Sequence, residues 1–363
     1  NTYFGEKGKK ISTKRGKRQR GREGEPYMAD GSERTERAAE DSAGAENGNR
    51  PEEELQVHTD LALEARESVL GEAEGIPGIR IEEAFHQKSG VKVTKVEITD
   101  ERGEEAIGKP MGIYITLEAE QMAAPDEGSH REISEELSFY IKELLESFGD
   151  PRAILAVGLG NHEVTSDSLG PRVLDNLKIT RHLYESRREK GILISGIIPG
   201  VMAQTGMETA EIVRGIVRET KPDAVVVIDA LAARSVSRLA ATIQLSNTGI
   251  QPGSGVGNHR NSLTLESLGI PVIAIGVPTV VAAAAIVYDT VDALAELLEA
   301  AGASFAADAV EGMRMEERYQ MVRELIEPRF GPMFVTPGNI DEKIKLLSYT
   351  ISEGINLAFC PRE

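Results

Sequence analysis

The sequence predicts an α/β protein in which a mostly parallel, twisted sheet carries helices on both faces. Near-continuous apolar runs are typical of strands that are buried on both faces of a sheet. The sequence has four such runs: AILAVGLG (153–160), ILISGIIPG (192–200), AVVVID (224–229) and PVIAIGV (271–277). Stretches with helical periodicity accompany them at 169–186, 208–220 and 292–299. Strands that alternate with helices favour a parallel sheet with right-handed crossover connections.

A smaller β/α region is predicted before this core. Its elements are a helix over 61–70, two half-buried strands over 91–98 and 112–119, and an amphipathic helix over 134–148. The strands are predicted from alternating apolar and polar residues, and the helices from apolar residues at helical spacing. Asp60 is a candidate N-cap for the first helix. After the core, residues 310–363 predict two helices around the turn GPMFVTPGNID.

Charge and composition narrow the function classes. The chain has 363 residues and a formal net charge of −18, which argues against a general nucleic-acid-binding protein because such proteins present basic surfaces. The sequence holds no uncharged apolar run long enough for a transmembrane helix, which needs about 18 residues. The single cysteine, Cys360, allows no disulfide within the chain and suits a reducing compartment such as the cytoplasm.

The first 54 residues differ in composition from the rest of the chain. Nine Lys and Arg residues fall between Lys7 and Arg22, and Glu and Gly dominate from there to Glu54. A segment with almost no large hydrophobic residues cannot offset the entropy of ordering. Residues 1–54 are therefore predicted to be a disordered basic and acidic extension.

The loops that follow the buried strands are the expected position of a site, because ligands bind beyond the carboxyl ends of strands in open α/β sheets. The sequences GLGNHE and GSGVGN lack the spacing of a dinucleotide fingerprint, since Glu163 and Asn258 stand where the third glycine would be. No Gly-x-Ser-x-Gly nucleophile motif occurs. A metal site with oxygen and nitrogen ligands is a further alternative. Its candidate ligands are His162, Glu163, Asp167 and Asp229.

Two aspartates are the stronger candidates. Asp167 follows the first buried strand and Asp229 ends the third, so both lie at the edge where a site is expected. A carboxylate at the end of a buried strand is costly unless it is hydrogen-bonded or functional. Two close carboxylates can share one proton, which suits the acid/base hydrolysis of an amide. The alternative for Asp167 is that it caps a helix beginning near Leu169.

Long blocks of the sequence resemble one protein family. The longest are VGLGNHEVTSDSLGPRVLDNLKITRHL (157–183), IIPGVMAQTGMET (197–209), IDALAARSVSRLAATIQLSNTGIQPGSGVGNHR (228–260) and LGIPVIAIGVPTVV (268–281). Shorter ones are HTDLALEARE (58–67), EEAIGKPMGIYITLE (104–118) and FVTPGNID (334–341). These blocks are similar to the germination protease of spore-forming bacteria, the endopeptidase that degrades small acid-soluble spore proteins. The resemblance runs from about Val57 to near the C-terminus.

The resemblance implies an α/β fold similar to that of the hydrogenase-maturation endopeptidases and a homotetramer in the cytoplasm of the forespore or spore core. It implies an aspartic-type peptidase activity without a cofactor, carried by two residues that fall on Asp167 and Asp229. The substrates would be small acid-soluble spore proteins, and neither nucleic acid nor a membrane would be a direct partner. The residues implied to shape the site are Asn161, Gly253, Ser254, Gly255, Gly257 and Asn258.

The resemblance also implies an inactive zymogen that processes itself. Family substrates are cut after the acidic residue in a stretch like Thr-Glu-Phe/Ile-Ala-x-Glu, and residues 59–64 read Thr-Asp-Leu-Ala-Leu-Glu. We therefore expect cleavage between Asp60 and Leu61. Residues 55–60 would end a prosegment, and residues 61–363 would form a single α/β peptidase domain. The alternative is a simple helix cap at this position.

Some residues depart from the family pattern and leave two other functions open. His162 stands where an apolar or aromatic residue is usual, and Asn247, Gln251 and His259 alter the glycine-rich region. One alternative is a metal-dependent endopeptidase of the hydrogenase-maturation kind. The other is a catalytically silent protein that binds spore proteins without cutting them.

Overall fold

The computed structural model describes residues 59–69, 75–119, 121–122, 127–183, 191–253, 261–300 and 315–360. All of them belong to one compact unit, residues 54–363. The extension predicted over 1–54 lies outside the described residues, as do four of the predicted site residues, Ser254, Gly255, Gly257 and Asn258. The domain boundaries placed at 54 and 60 stay predictions.

A nine-stranded sheet runs through the middle of the described structure. Its strands are β1 Ile79–His86, β2 Val91–Ile98, β3 Gly112–Glu118, β4 Ala153–Gly158, β5 Leu193–Ile197, β6 Ala224–Ala233, β7 Thr242–Ser246, β8 Val272–Ala282 and β9 Phe334–Val335. The order is β1-β2-β3-β7-β8-β6-β4-β5, with β9 paired to β8. Strands β8, β6, β4 and β5 are parallel neighbours, which confirms the predicted parallel core. The remaining strands pair antiparallel and extend this core on the β8 side.

Helices cover both faces of the sheet. They are α1 Ala62–Val69, α2 Glu101–Ile107, α3 Glu127–Glu146, α4 Leu169–Asp175, α5 Met202–Thr205, α6 Thr209–Thr220, α7 Leu265–Leu268, α8 Ala283–Ala300, α9 Met315–Phe330 and α10 Ile340–Phe359. On one face, Ile154 and Val226 of the sheet pack in a cluster with α3, α4 and α10. On the other face, their neighbours Leu155 and Val225 pack against α6. The apolar runs are therefore buried on both faces, as predicted.

Strands β4 and β6 are parallel neighbours, and the connections that leave them lead to strands on opposite sides of the pair. β4 continues to β5 on one side, whereas β6 continues to β7 and β8 on the other. The last paired residues are Gly158 and Ile228. A crevice beyond the carboxyl ends of two such strands is the usual ligand position in an open α/β sheet.

Several elements differ from the prediction, and three of them bear on the sheet. The sequence predicts neither β1, whose side chains are mostly exposed and show no alternation, nor the five-residue β7, which pairs with β3 and β8. The helix predicted over 169–186 is interrupted after Asp175. There Thr180 turns to the sheet instead: its N–H donates to the Ile194 carbonyl at 3.0 Å, and its Oγ1 accepts from the Ile194 N–H at 2.9 Å.

Candidate active site

A cavity of about 300 Å³ opens at the carboxyl edge of β4 and β6. Its walls come from the ends of β6 and β8 and from the loops after β4, β5 and β7. Both predicted aspartates, Asp167 and Asp229, line it, and so does Asp60 from the segment before α1. The structure thus brings the predicted acid/base pair and the predicted processing site into one cavity.

Asp229 lies on β6 one residue beyond the end of the pairing with β4. Its side chain is nearly buried, since only 7% of the residue is exposed. Its Oδ1 accepts a hydrogen bond from the Ala230 N–H at 2.9 Å. Across the sheet, Asp229 pairs with Gly276 of the neighbouring strand β8. The hydrogen bond offsets part of the cost of burying this carboxylate at the wall of the cavity.

Asp167 ends a 3₁₀ turn, Thr165–Asp167, in the loop that follows β4. Its Oδ2 accepts from the Asn161 N–H at 2.8 Å, and its backbone oxygen accepts from the same N–H at 3.1 Å. The interpretation of Asp167 as the helix cap is wrong, because the N-cap of α4 is Ser168 and its side chain makes no capping bond. The loop therefore fixes the Asp167 carboxylate at the cavity.

Two glycines allow close backbone contacts, one within this loop and one at the start of α4. Gly160 has φ +107°, and a Cβ there would lie 3.0 Å from the Asp167 Oδ1 and closer still to its backbone oxygen. At the start of α4, a Cβ on Gly170 would lie 2.6 Å from the Ile228 carbonyl oxygen. Only glycine permits such close approach. Gly170 therefore brings α4 against the end of β6, next to Asp229.

Of the other residues predicted to shape the site, the structure describes Asn161 and Gly253. The Asn161 Oδ1 accepts from the Glu163 N–H at 3.0 Å and from the Gln204 Nε2 at 3.2 Å, which ties the loop after β4 to the loop after β5. Gly253 lines the cavity directly. His162 does not line it: its Nε2 lies 3.0 Å from the Asp175 Oδ2, and the side chain is about half exposed.

The described part of the chain holds neither a cluster of metal ligands nor a membrane-spanning helix. Within it, no group of three or more His, Cys, Asp or Glu side chains could hold a metal ion. None of the described helices is long and apolar enough to cross a membrane.

The segment before α1 is hydrogen-bonded to the last part of β6, which extends beyond the pairing with β4. The Asp60 N–H donates to the Ala232 carbonyl at 3.1 Å, and the Asp60 Oδ2 accepts from the Ala232 N–H at 2.8 Å. Asp60 is thus not the cap of α1, contrary to the first expectation, because its carboxylate is bound to β6. Leu61 is fully buried in a cluster that includes Leu231. Burial of a leucine side chain contributes about 1.5–3 kcal/mol to this docking.

Sequence reasoning missed the charged residues that anchor α1. Glu64 is 2% exposed, and its carboxylate accepts from the backbone N–H groups of Arg234 at 2.7 Å and Ser235 at 2.9 Å. Its other partners include the Thr59 hydroxyl and Arg238, at 3.4 Å. Burial opposes the charge of Arg238, but the carboxylates around it, led by that of Glu67, raise its pKa.

A partly buried lysine completes the anchor. The Lys109 Nζ donates to the Thr59 carbonyl at 2.9 Å, one residue before the predicted cleavage site. Burial lowers the pKa of Lys109, although the nearby carboxylates of Asp60 and Glu64 oppose that shift. Lys109 lies in the block EEAIGKPMGIYITLE, which resembles the family. The spacing of residues in the sequence does not reveal that this block contacts Thr59.

Comparison with known proteins gives consistent results. The family model described as germination protease matches residues 56–307. The germination protease of Caldanaerobacter subterraneus subsp. tengcongensis is 47% identical over 313 residues, which cover 85% of this chain and 95% of that protein. That of Priestia megaterium is 39% identical over 349 residues, covering 83% and 93%. Among solved structures, the NiFe hydrogenase maturation protease HycI from Thermococcus kodakarensis matches 38% of this chain and 80% of its own, at 19% identity and a TM-score of 0.26.

Proposed function

Since this chain belongs to the germination protease family and is therefore a peptidase, we propose that Asp167 and Asp229 are its catalytic pair. We propose further that the pair cuts the chain's own bond between Asp60 and Leu61. The observation that carries the proposal is that Asp60, Asp167 and Asp229 line one cavity.

The proposed chemistry is hydrolysis by two carboxylates of opposite protonation state. The ionised one takes a proton from water, and the water oxygen bonds to the carbonyl carbon of Asp60. The protonated one supports the developing charge and supplies a proton to the leaving nitrogen. The C–N bond then breaks, Asp60 keeps the new carboxylate, and Leu61 leaves with a free amine. Because coupled carboxylates titrate together, the acid and base roles belong to the pair.

Self-processing is supported by how the segment is held. Asp60 makes two hydrogen bonds to Ala232, and Leu61, Ala62, Leu63 and Glu64 are each nearly or fully buried. Asp60 lies against the edge of β6 beyond its pairing with β4, and helix α1 begins directly after Leu61. In the uncut chain this segment also fills the place that another substrate would need, which accounts for an inactive zymogen.

The test incubates the purified full-length chain and follows its intact mass. The wild-type chain should lose residues 1–60, whereas Asp167→Asn and Asp229→Asn should stay uncut with unchanged circular dichroism spectra. Asp175→Asn is the matched control, since this exposed carboxylate pairs with His162 and does not line the cavity. Cleavage retained in either cavity variant removes that residue from the mechanism.

Two further arms separate the alternatives. Processing that stops on exhaustive chelation and returns on adding a metal would favour a metal-dependent endopeptidase of the hydrogenase-maturation kind. A chain that binds a peptide carrying Thr-Glu-Ile-Ala but never cuts it would favour a silent binding protein. Mass spectrometry of that peptide after incubation reports both the activity and the position of the cut.

We also propose that the substrates are small acid-soluble spore proteins, that the enzyme works in the spore core, and that it assembles as a homotetramer. Family membership supports the first two. The exposed aromatic side chains of Phe85 and Phe139 are compatible with a subunit interface. Size-exclusion chromatography with light scattering would measure the mass of the assembly, and the mass of a monomer would contradict the homotetramer.

A further inference from the structure

Gln244 of β7 contacts the peptide bond that the proposed function would cut. We propose that Gln244 is a further catalytic residue, whose side-chain N–H binds the carbonyl oxygen of Asp60 as that oxygen becomes an oxyanion. This inference rests on the proposed function, because it takes the bond between Asp60 and Leu61 as the one that is cleaved.

The side-chain amide of Gln244 donates a hydrogen bond to the carbonyl oxygen of Asp60. Its Nε2 lies 3.1 Å from the Asp60 carbonyl oxygen, and its Oε1 accepts from the Ala62 N–H at 2.7 Å. The second bond fixes the amide orientation, since a flipped amide would set its NH₂ group against the Ala62 N–H. Gln244 is 8% exposed, so water does not compete freely for either bond.

The sheet places Gln244 level with Asp229. Gly276 of β8 lies opposite Asp229 on one side and opposite Gln244 on the other. Residues aligned across neighbouring strands point to the same face, and two strand spacings separate the backbones of Asp229 and Gln244 by about 10 Å. The Asp60 carbonyl therefore accepts from an amide donor of β7 on the face of the sheet that also carries Asp229, and Asp60 and Asp229 line the same cavity.

The chemical role follows from the charge that develops. When water adds to the carbonyl carbon of Asp60, its oxygen gains negative charge that a fixed N–H donor stabilises more than it stabilises the neutral carbonyl. Loss of one such donor slows acyl transfer by about 10²–10³-fold. The Leu61 N–H, at the other end of the bond, donates to the Thr59 Oγ1 at 3.1 Å, which holds the peptide plane in place.

Lys109 differs from Gln244 in a way that supplies a control. The Lys109 Nζ contacts the Thr59 carbonyl, one residue before the bond, and so anchors the segment without touching the reacting oxygen. Lys109→Met should weaken docking, so that processing slows only together with a loss of amide protection over residues 59–69. Gln244→Glu keeps an acceptor for the Ala62 N–H but has no donor for the Asp60 carbonyl.

The experiment measures the rate at which full-length chains acquire Leu61 as their N-terminus, by intact mass. Hydrogen exchange over residues 59–69 is measured before cleavage, with the uncut Asp229→Asn chain as reference, and melting temperatures are compared. For Gln244→Glu we expect processing slowed by about 10²–10³-fold, with exchange protection over residues 59–69 as in the reference and a lower melting temperature, because a buried carboxylate replaces a neutral amide.

Each other outcome overturns the inference. Gln244→Glu processed within about threefold of the wild-type rate would remove Gln244 from the chemistry and leave the proposed function standing. A slower rate accompanied by lost protection would show that Gln244 only anchors the segment. A wild-type chain that is never cut between Asp60 and Leu61 would refute the proposed self-processing and the inference together.

Discussion

Gly160→Ala should test whether the shape of the loop after β4 positions Asp167 for the proposed reaction. Gly160 has φ +107°, which strains any residue with a side chain by about 1–2 kcal/mol. The added methyl group would also lie 3.0 Å from the Asp167 Oδ1 and well inside contact distance of its backbone oxygen. Asp167 would have to retreat by on the order of 1 Å, and a displacement of that size costs about 10²-fold in rate. The variant should therefore lose about 1–2 kcal/mol of stability to backbone strain and about 1–3 kcal/mol more to the clash, and it should process itself about 10²-fold more slowly.

The assay combines intact-mass kinetics of self-processing with urea unfolding. Gly215→Ala is the matched control, because Gly215 lies in α6 with open space where its Cβ would be. Alanine in a helix is more favourable than glycine by roughly 0.5–1 kcal/mol, so this variant should be slightly stabilised and process normally. If Gly160→Ala processes at the wild-type rate, the loop does not position Asp167 for catalysis and the reasoning from its geometry is wrong.

Two further predictions concern the charges around the site and the helices behind it. Arg238→Met should lower the free energy of unfolding by about 3 kcal/mol, because it removes the ion pair between Arg238 and the buried carboxylate of Glu64. Arg80→Met, at an exposed ion pair, should leave the urea midpoint unchanged, and equal losses in both variants would contradict this account. Burial lowers the pKa of His130, with Glu353 opposing the shift, so the unfolded chain binds this proton at a higher pH than the folded chain does. Stability should therefore be full above about pH 6.5 and fall as the pH drops from there toward the folded pKa. His130→Asn should flatten that part of a plot of melting temperature against pH, and an unchanged slope would contradict the assignment.

The parallel core and the aspartate pair could be predicted because both leave local signals. A strand buried on two faces must be apolar throughout, so the runs at 153–160 and 224–229 identify β4 and β6. An aspartate at the end of such a strand stands out against the cost of burying it. The pattern does not fix the strand order, so it is the structure that shows β4 and β6 to be neighbours.

Contacts between distant segments could not be predicted in this way. Gln244 lies in a five-residue strand with no distinctive pattern, and its role depends on a register that brings it level with Asp229. The expectation that Asp60 caps a helix used only its neighbours in sequence, whereas its carboxylate is bound to Ala232, 172 residues away. β1 escaped prediction because an edge strand with exposed faces needs no alternation of apolar residues.

The dependence of the processing rate on protein concentration tests the central claim most directly. Asp60 already lies in the cavity of its own chain, together with Asp167 and Asp229. The fraction of chains that begin at Leu61 should therefore rise with a first-order rate constant that stays the same over a hundredfold range of dilution. A rate constant that falls in proportion to dilution would show that one molecule cuts another, and would contradict the account that the bound segment is the substrate of its own site.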